Sequence, residues 1–276
     1  MVIGPRLAFC WTLALAATSL AESPPDSAEQ HRLLTAMHQY ADQYISSLPN
    51  FLCEQVTRQL EAGKKSNHWH KGDTLTTTLM FNRGREQRRL ALVNGKPVEP
   101  GQMRSRRPLI TEGEFGILLS RVLGADSHAY FTWSRWETLH GKRLAVFDYS
   151  VDQQHSTLTL SLSDLAKATV AYAGSVWGDP ETGSVWRITD TAKDIPPALL
   201  TRQISTTIDY DEVLIAEKKY LLPVEAAVSL LLETKKVRNE MEFQNYRKFE
   251  ADSVIRFGSE AGPGESQTAN PGSPKP

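Results

Sequence analysis

The chain has 276 residues, of which 40% are hydrophobic and 23% charged, and its formal net charge at pH 7 is −1. This length allows one large domain or two small ones, and the composition is that of a globular protein with a sizeable core. The near-neutral charge excludes the overall attraction to nucleic acid or to a membrane surface that a strongly basic chain would show.

The first 21 residues have the pattern of a secretory signal peptide. Arg6 supplies a positive charge, the run from Leu7 to Leu20 is apolar, and Ser19 and Ala21 are small residues where a signal peptidase reads them. The run is shorter than the roughly 20 residues that span a bilayer. We therefore expect cleavage after about Ala21 and a periplasmic or secreted protein without a transmembrane span. A retained membrane anchor is the alternative.

Cysteine usage gives no support for a disulfide or a reactive thiol. The chain has two cysteines, and Cys10 would leave with the signal peptide. Cys53 would then be alone and could form no intramolecular disulfide. Because no histidine or second cysteine motif accompanies it, we expect Cys53 to be a small buried side chain.

Two helices are predicted in a chain that is otherwise rich in strands. Ser27 and Gln30 have the spacing of a capping box, and the helix that follows carries one apolar stripe at three- and four-residue steps and ends near Pro49. The second helix, Glu114–Leu123, is strongly apolar. Gly124 is expected to close it in a left-handed conformation.

Alternation of apolar and polar residues predicts twelve strand segments. Before the second helix they cover residues 51–61, 74–81, 88–93 and 96–98, with Asn94-Gly95 as a tight hairpin turn. After it they cover residues 130–139, 144–149, 157–162, 170–177, 185–190, 204–210, 224–232 and 237–249.

These strands follow one another in meander order, with one polar face and one apolar face that must be covered. The two helices are the available cover. We therefore predict an α+β fold, a large curved antiparallel sheet (an open β half-barrel) with the N-terminal helix and the second short helix covering its concave face. This single domain would span residues 22–257. Residues 258–276 contain no large apolar side chain and would form a disordered tail.

One hairpin carries a resemblance to a known family. A strand ending in Val176-Trp177-Gly178-Asp179-Pro180 leads through a turn at Gly183 to Val185-Trp186-Arg187-Ile188. This hairpin resembles that of the periplasmic lipoprotein-carrier superfamily, which includes the outer-membrane lipoprotein-sorting proteins. Leu221-Leu222-Pro223 resembles the segment that the family places after its middle strands. Gly178 departs from the pattern, which has an aliphatic residue there.

The resemblance implies both a fold and a ligand class. In the family, an unclosed half-barrel wraps around helices and holds acyl chains in an apolar cavity. Seven side chains are our candidates for lining such a cavity: Met37, Phe115, Leu118, Val122, Trp133, Trp177 and Trp186. The same tryptophans would equally suit an ordinary filled core. The helix Glu114–Leu123 is the candidate lid, because loops with proline and glycine flank it.

A basic region lies between residues 83 and 107, where eight basic side chains against two acidic ones give a local charge of +6. The basic patch that we single out consists of Arg83, Arg85, Arg88, Arg89, Arg104, Arg106 and Arg107. Such a patch suits anionic lipid head groups, lipopolysaccharide or the acidic face of a partner protein. The possible partners of the whole protein are a lipid, a lipoprotein acyl chain or an anionic component of the cell envelope. The alternative is an ordinary solvated strand face. Nucleic acid is disfavoured, because no aromatic side chains interleave with the basic ones.

Motifs for catalysis are missing from the sequence, which has no Gly-x-Ser-x-Gly, no phosphate-binding glycine loop and no His-Glu-x-x-His. His68 and His70 share a strand face, as do Asp209 and Asp211, but neither pair has the further ligands that a metal needs. We expect solvated side chains at all four, no metal and no cofactor. Asp179 is expected to stabilise its turn rather than to bind calcium.

Two functions are therefore carried forward. The first is an exported, non-enzymatic binding protein that shelters an acyl chain or another apolar ligand. The alternative is a periplasmic protein-interaction or signalling module with a filled core and no ligand. An apolar cavity of about 300 Å³ or more would favour the first. We expect a monomer in either case.

Overall fold

The computed structural model describes residues 23–98, 114–163 and 166–249. The predicted signal peptide, the predicted tail and three members of the basic patch (Arg104, Arg106 and Arg107) lie outside these ranges. Neither helix of the described chain combines the length and the hydropathy of a membrane-spanning segment.

Helix α1 spans Ser27–Ser47 and helix α2 spans Ile117–Leu123. The cap of α1 is Asp26, whose carboxylate accepts a hydrogen bond from the Glu29 N–H at 2.8 Å, so the predicted capping residue was one position late. Helix α2 is shorter than predicted because Gly116 precedes it with a φ of 120°. Gly124 is extended, with a φ of −66°, and not left-handed as expected.

Thirteen strands are found in the described residues. They are β1 Phe51–Gly63, β2 His70–Asn82, β3 Arg85–Val93, β4 Lys96–Pro97, β5 Tyr130–Leu139, β6 Lys142–Val151, β7 Thr159–Ser163, β8 Ala166–Thr169, β9 Tyr172–Gly178, β10 Val185–Ala192, β11 Thr201–Ile215, β12 Lys218–Leu232 and β13 Lys235–Lys248. Eleven form one sheet in the order β4-β3-β2-β1-β13-β12-β11-β10-β9-β6-β5, and β7 pairs with β8 as a separate hairpin.

The predicted fold class is confirmed: two helices accompany one large curved antiparallel sheet that stays open between β4 and β5 in the described residues. The meander order is interrupted twice, because β1 pairs with β13 and β6 pairs with β9. The predicted strand at 157–162 therefore leaves the main sheet. Asn94 and Gly95 both have positive φ, as their predicted hairpin turn requires.

The two helices bury one face of the sheet, which we call the inner face. The stripe of α1 predicted from its spacing is buried and consists of Leu33, Met37, Ala41 and Tyr44. Residues of α2 join the same core, and on β6 the inner face alternates through Ala145, Phe147, Tyr149 and Val151. Each large side chain buried in this way stabilises the fold by about 1.5–3 kcal/mol.

The tip of the β9–β10 hairpin rests on α1. The Arg32 guanidinium donates a hydrogen bond to the Pro180 carbonyl at 3.0 Å. A side chain at Gly178 would overlap the thioether of Met37, and one at Gly183 would overlap the carbonyl oxygen of Ala36. The glycine that departs from the family pattern therefore makes room for the helix.

Candidate functional site

The space beneath the helices is filled. Met37, Leu119, Val122 and Leu123 have no exposed surface, and Leu118 is 5% exposed. Met37, Leu118 and Val122 were predicted to line a cavity, and here they are members of the packed core together with Phe115. Packing of this kind leaves no room for a ligand beneath α2 in the conformation described.

Trp177 and Trp186 lie on the opposite, outer face of the sheet. With Leu144 and Val146 they form a second cluster, separate from the main core. The register explains this placement, because Trp177 is opposite Val146 and both alternate with inner-face neighbours. Basic side chains cover the two rings, with the Lys142 ammonium 4.5 Å from the Trp186 ring centre. The seven predicted lining residues therefore do not share one cavity, and the two tryptophans are corrected to the outer face.

Trp133 remains on the inner side, half-buried against the main core. A bulge between Trp133 and Arg135 places Ser134 as an extra residue in β5. Because the bulge shifts the alternation by one position, Trp133 and Trp136 face the same side, with ring centres 4.9 Å apart.

A cavity of about 520 Å³ opens at the edge of the main core, where the end of α1, the β2–β3 turn and the start of α2 meet. Its lining is formed by Ile45, Phe81, Gly84, Arg85, Glu86, Arg88, Phe115 and Ile117. We call this space the edge pocket. Of the seven predicted lining residues, Phe115 is the one that lines it.

The floor of the edge pocket is aromatic. Phe81 stacks on Phe51 with ring centres 5.1 Å apart and an angle of 10° between the planes. Phe115 packs against Phe51 at 5.3 Å and edge-on against Phe243 at 5.5 Å. Ile117 stands at the mouth, 53% exposed. An apolar floor with an exposed aliphatic side chain at the mouth suits an apolar ligand.

One wall of the edge pocket holds a buried ion network. The Arg88 guanidinium lies 2.7 Å from the Glu86 carboxylate and 2.5 Å from that of Glu114. Burial raises the pKa of Glu86, against the opposing effect of Arg88. Since Arg88 points inward to two carboxylates, it does not belong to an exposed basic patch.

The exposed members of the predicted patch that lie in the described residues are Arg83, Arg85 and Arg89. Arg85 both lines the edge pocket and is exposed, and it forms no ion pair with any described residue. An exposed guanidinium at a pocket mouth can hold an anionic group by charge-assisted hydrogen bonds. The pocket therefore combines an apolar floor with a cationic rim.

Helix α2 is tethered at its other end by a second buried pair. The Arg121 guanidinium lies 2.7 Å from the Asp190 carboxylate, which is 6% exposed, and the Tyr149 hydroxyl donates to the same carboxylate at 3.1 Å. Burial raises the pKa of Asp190, and Arg121 opposes that shift. The His38 ring nitrogen Nδ1 lies 2.5 Å from the Leu123 carbonyl oxygen and joins α1 to α2. The candidate lid is thus held closed by specific contacts.

The remaining candidates for chemistry have structural explanations. His68 and His70 meet with ring centres 4.9 Å apart, but the described residues contain no group of three or more side chains suited to a metal. Asp209 pairs with Arg187 on the outer face. Asp179 accepts hydrogen bonds from the N–H groups of Glu181 and Thr182 within its turn. Cys53 is buried, and burial raises its pKa to about 12.

A second depression, of about 470 Å³, crosses the outer face over strands β1, β13, β12, β11 and β10. Its polar lining includes the ion pairs Arg58–Glu242 and Arg238–Glu240, which cross or follow the strands. Pairs of this kind stabilise a solvated sheet face modestly. We assign this depression no ligand.

No protein-family model matches the chain, and no curated protein matches it either. Among solved structures, a LolA superfamily protein from Nitrosomonas europaea is 10% identical, with 79% of this chain and 94% of that chain covered and a TM-score of 0.32. A structure described as an outer membrane lipoprotein-sorting protein domain, from Vibrio parahaemolyticus, is 10% identical, with coverages of 81% and 96% and a TM-score of 0.37.

A DUF1329 family protein from Desulfovibrio piger is 9% identical, with 82% of this chain and 97% of that chain covered and a TM-score of 0.40. Two of the three descriptions name the group whose hairpin this chain resembles. The TM-scores of these three structures are all below 0.5.

Proposed function

We propose that this protein is an exported, non-enzymatic binding protein that shelters the apolar tail of an amphiphile in the edge pocket. The observation that carries the proposal is the pocket itself, whose volume of about 520 Å³ lies within the 300–1,000 Å³ typical of ligand sites. Ile45 and Ile117 would contact the tail, and the edges of Phe81 and Phe115, each 1% exposed, would lie beneath it. Transfer of each CH₂ group from water would contribute about 0.8 kcal/mol.

The head group of the ligand would lie at the rim, beside Arg85. The inner wall is already occupied by Arg88 with its two carboxylates, so it offers no net positive charge to an anion. Arg85 is exposed and forms no ion pair with a described residue. An acyl chain with a carboxylate or phosphate head matches this division between floor and rim. The protein would act by sequestration and carry out no chemistry on the ligand.

The filled core beneath α1 and α2 favours a second candidate, a protein-interaction module without a ligand. In that case the edge pocket would stay empty whatever amphiphile is offered. Binding of a long-chain fatty acid distinguishes the two candidates, because an interaction module would show no saturable uptake.

Replacing Ile117 by Asn should lower the affinity for a long-chain fatty acid about tenfold, because a side chain that covers the tail at the mouth is lost. Ile117 is 53% exposed, so the fold should tolerate the change. Leu214→Asn is the matched control, since Leu214 is 61% exposed and does not line the pocket. Isothermal titration calorimetry measures both, and equal affinities for the two variants would contradict the proposed site.

Arg85→Gln tests the head group. We expect it to weaken binding of a fatty acid about tenfold while leaving binding of the fatty alcohol of the same length nearly unchanged, because only the acid carries a charge for the guanidinium. The ratio of the two dissociation constants is the measured quantity. A parallel loss for acid and alcohol would place the head group elsewhere.

A further inference from the structure

The two edges of the main sheet differ in how they are protected. Strand β4 has two residues, Lys96 and Pro97, and pairs with Leu92 and Val93 of β3. The rest of this edge is the stretch of β3 over residues 85–91, which carries three arginines and one glutamate. Strand β5 at the other edge has ten residues, YFTWSRWETL, with four aromatic side chains and neither lysine nor proline. Short strands, lysine and proline are the usual means by which a protein blocks edge-to-edge pairing. Within residues 23–98, 114–163 and 166–249, the β3–β4 edge is therefore protected by lysine, proline and a run of charge, whereas the β5 edge has long aromatic side chains and fewer such features.

In the described residues β5 forms a ladder with β6 alone. Half of its backbone N–H and C=O groups therefore face away from the sheet. Tyr130 at its start is 71% exposed, and Thr132, Arg135 and Thr138 are also exposed. The bulge at Ser134 and the charges of Arg135 and Glu137 are the protective features of this strand, and the segment from Arg135 onward is regular.

The sequence of the regular segment is complementary to itself. Arg135 and Glu137 are two residues apart on the outer face, and within one chain their side chains already pair at 2.5 Å. When two such strands run antiparallel about a twofold axis at Trp136, Arg135 of each copy lies opposite Glu137 of the other. Opposite charges directly across an antiparallel pair are stabilising.

Neighbouring registers do not have this property. A shift of the axis to Arg135 places the two arginines opposite each other, and a shift to Glu137 does the same for the two glutamates. Like charges directly opposite each other are destabilising. If the axis instead lay between two neighbouring residues, outer-face residues of one copy would lie opposite inner-face residues of the other. The register is therefore specified by three consecutive residues.

We propose that β5 is a docking edge for a second copy of this chain, which pairs antiparallel about Trp136 and joins two sheets into one. This proposal replaces the expectation of a monomer, and it is independent of the edge pocket. Sheet extension by an added strand derives affinity from main-chain hydrogen bonds and selectivity from the facing side chains.

Sedimentation velocity of the protein purified after export should show a monomer–dimer equilibrium. Arg135→Glu and Glu137→Arg should each raise the dimer dissociation constant about tenfold. The twofold axis creates two equivalent contacts between residues 135 and 137, and either change places like charges opposite each other in both of them. The double reversal should restore it to within about twofold of the original, because opposite charges again face each other. Arg202→Glu, in β11, breaks an exposed pair with Glu233 in the β12–β13 turn and serves as a control that should leave the constant unchanged.

Cysteine crosslinking tests the register separately. Under oxidising conditions Trp136→Cys should form an interchain disulfide, since residue 136 alone faces its own copy, whereas Thr132→Cys should not. Cys53 is buried and gives little background. Melting temperatures of all variants report whether the fold is retained. A monomer at every concentration would overturn the proposal, as would a dimer whose dissociation constant is unchanged by both single charge reversals. The backbone amides of β5 should be protected from hydrogen exchange in the protein alone. Protection that appears only after a different polypeptide is added would also refute self-association.

Discussion

Gly183→Ala should lower the free energy of unfolding by about 3 kcal/mol, of which 1–2 reflect the left-handed conformation and the remainder a steric clash. Gly183 has a φ of 71° in the turn between β9 and β10. A methyl group there would overlap the carbonyl oxygen of Ala36 in α1. Because a helix backbone cannot move aside as a flexible side chain can, the hairpin tip would have to lift from the helix.

The matched control is Gly141→Ala in the β5–β6 turn. Gly141 has a φ of 77°, nearly the same as Gly183, and a methyl group there meets no atom within 4 Å. Gly141→Ala should lower the free energy of unfolding by about 1–2 kcal/mol, because only the backbone conformation becomes unfavourable. Urea denaturation of both variants measures the difference. Equal losses would mean that the tip of the hairpin does not rest on α1.

Arg121→Met should cost about 3 kcal/mol of unfolding free energy at neutral pH, because removing one partner leaves a buried charge without its counterion. The Asp190 carboxylate would retain the Tyr149 hydroxyl as a hydrogen-bond donor but lose the guanidinium 2.7 Å away. Arg58→Met is the control. Its pair with Glu242 is 53% and 43% exposed, and a pair of this kind contributes at most about 1 kcal/mol.

The loss caused by Arg121→Met should shrink as the pH falls. Burial holds the pKa of Asp190 above its ordinary value even with Arg121 present, and removal of the arginine raises it further. Between the pKa of the unfolded chain and that of the folded protein, the folded state binds more protons, so stability increases as the pH falls through this window and decreases as it rises. When unfolding is measured from pH 7 down to about pH 4, the free energies of unfolding of the wild-type protein and of Arg121→Met should converge. A loss that is independent of pH would mean that the Asp190 charge is not responsible.

Local patterns in the sequence predicted much of the fold. The three- and four-residue spacing identified the buried stripe of α1, including Met37 and Tyr44. Asn94-Gly95 and the turn before Gly183 were identified from residues that adopt positive φ. These features succeed because each depends on a few neighbouring residues.

The face on which a residue lies was harder to predict where strands bulge or pair out of order. Trp177 and Trp186 were expected inside because tryptophan is apolar, yet basic side chains cover them on the outer face. The bulges next to Trp133 and Val185 shift the alternation, and no single-residue signal marks either of them.

The edge pocket could not be predicted, because it is assembled from segments near Ile45, Phe81 and Phe115 that are far apart in the chain. Phe115 and Arg85 were singled out separately, one as cavity lining and the other as part of a basic patch. Gly116 gave a weak signal: a methyl group there would lie 2.5 Å from the Ile45 side chain, so only glycine permits this approach.

The most direct test of the central claim is photo-crosslinking with a long-chain fatty acid that carries a diazirine on its tail. After irradiation and digestion, mass spectrometry locates the labelled residues. The proposed function predicts saturable labelling within segments 81–88 and 115–117, which contain seven of the eight residues that line the edge pocket. Ile117→Asn should reduce this labelling, and Leu214→Asn should not. Labelling confined to the outer face around Trp177 and Trp186, or no saturable labelling, would contradict it.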